Sequence, residues 1–281
     1  MSPLTNWRAR LPGATAAAGL RHRYLELLTA ALTHTLYDPP DTRELPAYVR
    51  EAYGAELRRQ GMRVALPTPQ EERIFGRDRP VYAQTMIGVH RLRNVRSCTE
   101  AALAEGVPGD LIEAGTWRGG AAIMMRGVLE AHAIIDRTVW VADSFQGLPE
   151  PNAEKYPADA PDLNYTADEL AIPLDEVRAN FERYGLLDER VKFLEGWFRD
   201  TLPGLRDRSW AVVRLDGDLY ESTMDGLENL YPQLSPGGFL IVDDYGFPNC
   251  REAIEDYRRE HGISEEITQV DWTGAFWRKG R

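Results

Sequence analysis

A doubly wound α/β fold is the architecture the sequence predicts: a mostly parallel sheet, helices on both faces, and a helical segment in front. Two observations carry it. From Gly109 onward, short apolar runs without polar alternation recur between stretches of helical periodicity, the pattern of strands buried on both faces. Each run stops at a glycine or an acid, where an open parallel sheet presents its ligand-binding groups.

The elements follow in order. Tyr24, Leu25, Leu27, Leu28, Leu32 and Leu36 form a helical stripe that Pro39-Pro40 ends. A second helix is expected over Tyr48 to Arg59, and Leu66 to Pro69 is expected as loop, with no strand anywhere before Ile87. The strand runs are Asp110–Ala114, Thr138–Ala142, Val191–Leu194, Ala211–Leu215 and Phe239–Val242. Between them lie helices through Ala121 to Leu129, Leu174 to Tyr184 (stopped by Gly185), a third with Ser222 as N-cap and Asp225 at N3, and Asn249 to His261. The aromatic tail, Thr268 to Arg278, suits a final antiparallel hairpin. The Pro-rich acidic stretch from Pro149 to Asp168 is too long for an ordinary connection, so a lid or binding loop is expected. The division is a helical cap over residues 1–88, with a possible role in oligomerisation, and a ligand-binding core over 89–281.

The chain has 281 residues, 43% hydrophobic and 27% charged, enough for one large α/β domain with an extension. Its net charge of −11 argues against a nucleic-acid partner. No apolar run approaches the roughly 18 residues of a membrane span, and Arg21, His22 and Arg23 interrupt any signal-peptide core, so a cytoplasmic enzyme is expected. Cys98 and Cys250 lack metal-type spacing and suit reduced thiols.

The turn from Glu113 to Gly120 follows a strand and opens a helix with the spacing G-x-x-x-G-G. Dinucleotide folds use G-x-G-x-x-G to seat a pyrophosphate. A ligand with an ammonium, a carboxylate and a ribose but no phosphate fits better, which points to S-adenosylmethionine. Glu113 is placed for the ammonium and Asp143, ending the next strand, for the ribose. A turn packed only for structural reasons is the competing reading.

Asp216 and Asp218 end one strand; Asp243 and Asp244 end another. Adjacent parallel strands would crowd these acids, and like charges that close need compensation. An all-oxygen set suits Mg²⁺, with Mn²⁺ or Ca²⁺ possible, and no Cys/His cluster serves zinc. Asp216, Asp243 and Asp244 are expected as metal ligands, and Asp218 as the base that deprotonates an acceptor hydroxyl. Helix or loop capping is the competing role for any one of them.

Six segments then resemble the macrocin O-methyltransferase family in order: Thr85–Gly88, Glu113–Gly120, Ala142–Pro149, Glu195–Phe198, Leu215–Thr223 and Val242–Tyr245. The resemblance spans about Val81 to Lys279. It implies a class I, Rossmann-like S-adenosylmethionine-dependent methyltransferase sheet and a Mg²⁺-dependent transfer to a deoxysugar hydroxyl on a macrolide, aminocoumarin or related natural product. Within the family, the members that methylate the noviose 4-hydroxyl of aminocoumarins look nearest. By the same resemblance, Glu113, Gly115 and Thr116 contact the methionine part, Asp143 and Ser144 the ribose, and Gly196 and Trp197 the adenine. Thr85 and Met86 lie near the cofactor, while Asp216, Asp243 and Asp244 hold the metal and Asp218 is the base. Asp216 also borders the cofactor. The implied partner is a glycosylated small molecule, with no nucleic acid or membrane and a homodimer as the assembly. A metal-dependent enzyme for catechol-like phenols would use the same acids.

His90 and the charge run from Arg251 to Glu260 are more simply structural. Trp117, Trp272 and Trp277 suit packing, whereas Trp197 could stack on a flat ring.

Overall fold

The five apolar runs become the centre of one seven-stranded sheet. A computed structural model describes residues 16–37, 42–44, 56, 59–60 and 65–280. Helix α1 (Ala16–Leu32) is followed by strands β1 (Thr42–Glu44) and β2 (Ala65–Pro67), then α2 (Gln70–Phe75) and α3 (Val89–Ala104). The alternating part runs β3 (Asp110–Ala114), α4 (Gly120–Ala131), β4 (Val139–Asp143), α5 (Leu174–Arg183), β5 (Val191–Glu195), α6 (Phe198–Thr201), β6 (Trp210–Leu215), α7 (Tyr220–Leu230), β7 (Leu234–Val242) and α8 (Pro248–Glu260). Strands β8 (Thr268–Gln269) and β9 (Ala275–Arg278) close the chain.

The sheet order is β5-β4-β3-β6-β7-β9-β8. Strands β3 to β7 pair in parallel, and β9 returns antiparallel beside β7 as the tail pattern predicts. Strand order reverses between β3 and β6, so a crevice opens above their carboxyl ends.

Strict alternation along each strand sends neighbours to opposite faces. Leu111, Val212 and Ile241 join a core with α1, α3, α4 and α5, while Ile112, Val213, Leu240 and Val242 join one with α7, α8 and Trp277. Both faces are covered, which explains the apolar runs. Leu25, Leu28 and Leu32 of α1 belong to the first of these cores. Helix α4 is buried almost all round, as its run of Ala, Ile and Met residues requires.

Three expectations need correction. The front segment does contain strands: β1 and β2 pair antiparallel, Thr42 opposite Pro67. Three-residue strands carry no readable alternation, and Pro67 is tolerated in such a short edge. The second, α7, begins at Tyr220 with Leu219 as its N-cap, so Ser222 lies inside the first turn. The third is the strand expected from Phe239, which begins at Leu234 and takes in Pro236-Gly237-Gly238, with a register irregularity between Trp210 and Val212. The helix expected over Tyr48–Arg59 lies almost wholly outside the described residues. Among the described residues no helix is long and apolar enough to cross a membrane.

Gly115 holds the turn after β3 at φ 88, and a Cβ there would lie 1.7 Å from the Asp216 carbonyl oxygen. Gly119 also has positive φ, but a Cβ there meets Val177 Cγ1 at 3.0 Å. Replacing Gly119 by Ala should therefore cost about 1–2 kcal/mol in urea unfolding, from the left-handed backbone alone. Gly115→Ala should cost clearly more, or prevent folding. Equal losses would contradict this close approach of β3 and β6.

Candidate active site

Register builds the site. Glu113 of β3 pairs with Arg214 of β6, which pairs with Ile241 of β7. Glu113, Arg214 and, two residues beyond Ile241, Asp243 therefore point to the same sheet face. Arg214 is 1% exposed, in a strand buried along its whole length. A guanidinium so placed must be paired or it costs several kcal/mol. It is paired three ways: to Glu113 at 2.6 Å, Asp243 at 2.6 Å and Asp216 at 2.9 Å. A second buried arginine, Arg91 of α3, binds Asp243 and, at 3.0 Å, Asp271 of the β8–β9 turn. Helix α3 and the terminal hairpin are thus tied to the strand-end acids.

The acids divide by this pairing. Glu113, Asp216, Asp243 and Asp271 share two guanidiniums. Among the described residues no lysine or arginine makes an ion pair with Asp218 or Asp244; the closest link is the Asp218 N–H donating to Asp244 Oδ2 at 3.1 Å. Burial and the neighbouring charges of Asp216, Asp162 and Asp243 push the Asp218 carboxyl up to about 8. Burial and Asp218, Asp216 and Asp243 drive Asp244 well above the usual carboxylate range. Asp216, held by burial and Asp243 against the pull of Arg214, sits at about 6. One oxygen each from Asp216, Asp243 and Asp244 lies within 4.8 Å of the others. Hard oxygen donors with charge left over on the Asp244 side fit a divalent cation of the Mg²⁺ type. The arginines account for the other side.

Beside these acids lies a cleft open to solvent, with about 720 Å³ of empty space including its mouth. Of the residues expected around a cofactor, Met86, Gly115, Thr116, Asp143, Ser144, Trp197 and Asp216 line it, as does Asp218. The Asp143 carboxylate accepts the N–H groups of Thr116 at 2.7 Å and Phe145 at 2.8 Å. Glu113 is not in the lining. Its Oε1 accepts from Arg214, and its Oε2 accepts from the Ala122 N–H at 2.8 Å and the Thr116 hydroxyl at 3.1 Å. It anchors the glycine turn from behind, and burial raises it to about 7 despite Arg214. Thr85 is buried, accepting the Ile87 N–H, and Gly196 (φ 140) donates to the Asp143 carbonyl; both flank the lining without joining it. The turn's glycines, the polar wall and the Trp197 ring fit an amino-acid-linked nucleoside without phosphate.

Sequence reasoning missed Arg91, Arg214 and the lining residues Phe198, Glu221 and Asp225. Arg214 carried a signal: a lone cation inside an otherwise apolar strand run must meet acids. The loop after β4 also walls the cleft through Pro149 and Leu170. It is fastened by Trp117 Nε1 donating to the Glu169 carbonyl at 2.8 Å, and by Arg79 reaching Asn164 at 2.8 Å and Glu169 at 2.9 Å.

Residues 21–279 match the family described as Macrocin-O-methyltransferase (TylF). Over 259 residues the chain is 51% identical to the 8-demethyl-8-(2,3-dimethoxy-alpha-L-rhamnosyl)-tetracenomycin-C 4'-O-methyltransferase of Streptomyces olivaceus, covering 92% of this chain and 93% of that protein. Over 260 residues it is 46% identical to the demethyldecarbamoylnovobiocin O-methyltransferase of Streptomyces niveus, covering 92% and 94%. The solved structure of the O-methyltransferase NovP superposes with a TM-score of 0.83 at 45% identity, covering 93% of this chain and 100% of that one.

The acids with raised proton affinity make a pH prediction for the ion-free protein. A carboxyl raised on folding stabilises the fold below its unfolded pKa, and that contribution is lost as pH rises through its folded value. In EDTA the thermal midpoint should fall as pH climbs through about 6 and about 8, the values of Asp216 and Asp218. The fall should be at least about 3 °C, the size roughly 1 kcal/mol produces in somewhat smaller domains. A midpoint that is flat or rises over that window contradicts the uncompensated corner.

Proposed function

The chain belongs to the macrocin O-methyltransferase family and is an S-adenosylmethionine-dependent O-methyltransferase; from that premise we propose that it methylates a deoxysugar hydroxyl of a glycosylated antibiotic, with Mg²⁺ bound at Asp216, Asp243 and Asp244. The observation that carries the metal is the cluster of Asp216, Asp243 and Asp244, whose oxygens lie within 4.8 Å of one another, with Asp244 in no ion pair among the described residues. The sugar class is supported by the relatives' names, which place the methyl on a rhamnosyl 4'-hydroxyl in one case and on a demethyldecarbamoylnovobiocin in the other. The relative named for the rhamnoside is the more similar of these two, so a rhamnose-like acceptor is favoured over noviose.

When bound, S-adenosylmethionine supplies a methyl on a positive sulfur that leaves with its electron pair, and Mg²⁺ eases loss of the acceptor's proton. The chain's own residues do the rest. Asp218, a carboxylate lining the cleft two residues beyond Asp216, takes the hydroxyl proton. Gly115 and Thr116 cradle the amino-acid end, with Glu113 bracing Thr116 from behind. Asp143 and Ser144 accept the ribose, and Trp197 with Gly196 borders the adenine. Met86 borders the cofactor with Thr85 behind it, and Pro149 and Leu170 wall the cleft. The enzyme works as a cytoplasmic homodimer.

Asp218→Asn should lower kcat by about 10²–10⁴-fold while leaving S-adenosylmethionine binding intact. Assayed with S-adenosylmethionine and Mg²⁺, the wild type should methylate the tetracenomycin rhamnoside that is the olivaceus relative's acceptor and ignore catechol. EDTA should abolish turnover and Mg²⁺ restore it. Catechol methylation alone would overturn the sugar reading, and full activity in EDTA would overturn the metal.

A further inference from the structure

Asp218 has φ 60, a left-handed conformation that costs a non-glycine residue about 1–2 kcal/mol unless its surroundings fix it. Its own peptide groups are both held by side chains. The Asp218 N–H donates to Asp244 Oδ2, and its carbonyl accepts from Asn249 Nδ2 at 2.9 Å. The same nitrogen donates its other hydrogen to Asp159 Oδ1 at 3.0 Å. Asp159 is 1% exposed although it sits in the acidic loop between β4 and α5, whose neighbouring residues are mostly exposed. Its Oδ1 also accepts the Tyr220 N–H at 2.6 Å, and its Oδ2 the Glu221 N–H at 3.1 Å. Those are the first free N–H groups of α7, which has no side-chain cap of its own.

Resting on the reading of Asp218 as the base, we propose that Asp159 and Asn249 are positioning residues. Together they clamp the Asp218 main chain so that its carboxylate is aimed, and they couple that alignment to the seating of the loop of residues 149–173. The chemistry of each residue suits this. Three donors converge on Asp159, so only a carboxylate satisfies them; an amide would set its NH₂ against a helix N–H. Asn249 supplies two hydrogens from one nitrogen, which alanine and aspartate cannot. Trp117 and Arg79 fasten the later part of the loop, and Asp159 fastens its middle. Withdrawing the loop therefore removes the carboxylate that orients Asn249, and Asn249 then loosens the Asp218 carbonyl. The base is set when the loop is down and released when it lifts.

The test uses Asn249→Ala, Asp159→Asn and Asp218→Asn in the full chain. Turnover is measured on the tetracenomycin rhamnoside, S-adenosylmethionine affinity by calorimetry, and amide exchange by mass spectrometry. Asn249→Ala and Asp159→Asn should each lower kcat about tenfold or more, with S-adenosylmethionine affinity within about twofold of wild type. The double variant should be no slower than the worse single one, as expected of residues acting through one contact. Asn249→Ala should also speed exchange in peptides covering both 156–161 and 217–221. Wild-type kcat in Asn249→Ala beside an inactive Asp218→Asn overturns the clamp and leaves the base standing. An active Asp218→Asn overturns the base itself. If the rhamnoside is not an acceptor, exchange decides: faster exchange confined to 217–221 overturns the coupling, and faster exchange in both segments supports it. A loss of S-adenosylmethionine affinity matching the loss of kcat marks a merely structural role and also overturns it.

Discussion

Arg214 is the constraint on which the rest depends. It lies in the central strand of a sheet covered on both faces, where an unpaired charge is not tolerated. Its neutralisation draws Glu113 from β3, Asp216 from the end of β6 and Asp243 from the end of β7 into one network. Glu113 in turn holds the Thr116 hydroxyl and the Ala122 N–H, so the glycine turn and the start of α4 are set by the same charge. Arg91 extends the network to α3 and the terminal hairpin. A cluster that would repel itself is thereby tied together, with Asp218 and Asp244 outside the arginine network.

That division refines what crowding alone suggests. Like charge argues for a cation, but two of the four aspartates, Asp216 and Asp243, are paired with guanidiniums within the protein. The other two, Asp218 and Asp244, make no ion pair among the described residues, and Asp218 lines the cleft. In the proposed reading a bound cation and a proton-accepting carboxylate share that corner for the same electrostatic reason.

Much of this was legible from residues. Strand runs buried on both faces, each ended by an acid or glycine, suffice to place the sheet and to bring Asp216, Asp243 and Asp244 together. The pairing of Glu113 with Arg214 was also within reach, because a period of two puts residues 113, 214 and 243 on one face once the registers are known. An arginine in an apolar strand looks like an isolated exception until its neighbours are aligned. Asp159 and Asn249 were not legible. A capping acid supplied from 61 residues away obeys no local pattern, and Ser222 offered a nearer cap that the helix does not use. The three-residue strands β1 and β2 fail for a different reason, being too short for any periodicity.

The most direct measurement is an anomalous difference map from crystals soaked in Mn²⁺, a cation of the same oxygen preference as Mg²⁺. The account predicts one strong peak ligated by Asp216, Asp243 and Asp244, with Arg214 still paired to Glu113. A peak held by other residues, or no peak at saturating Mn²⁺, would contradict it.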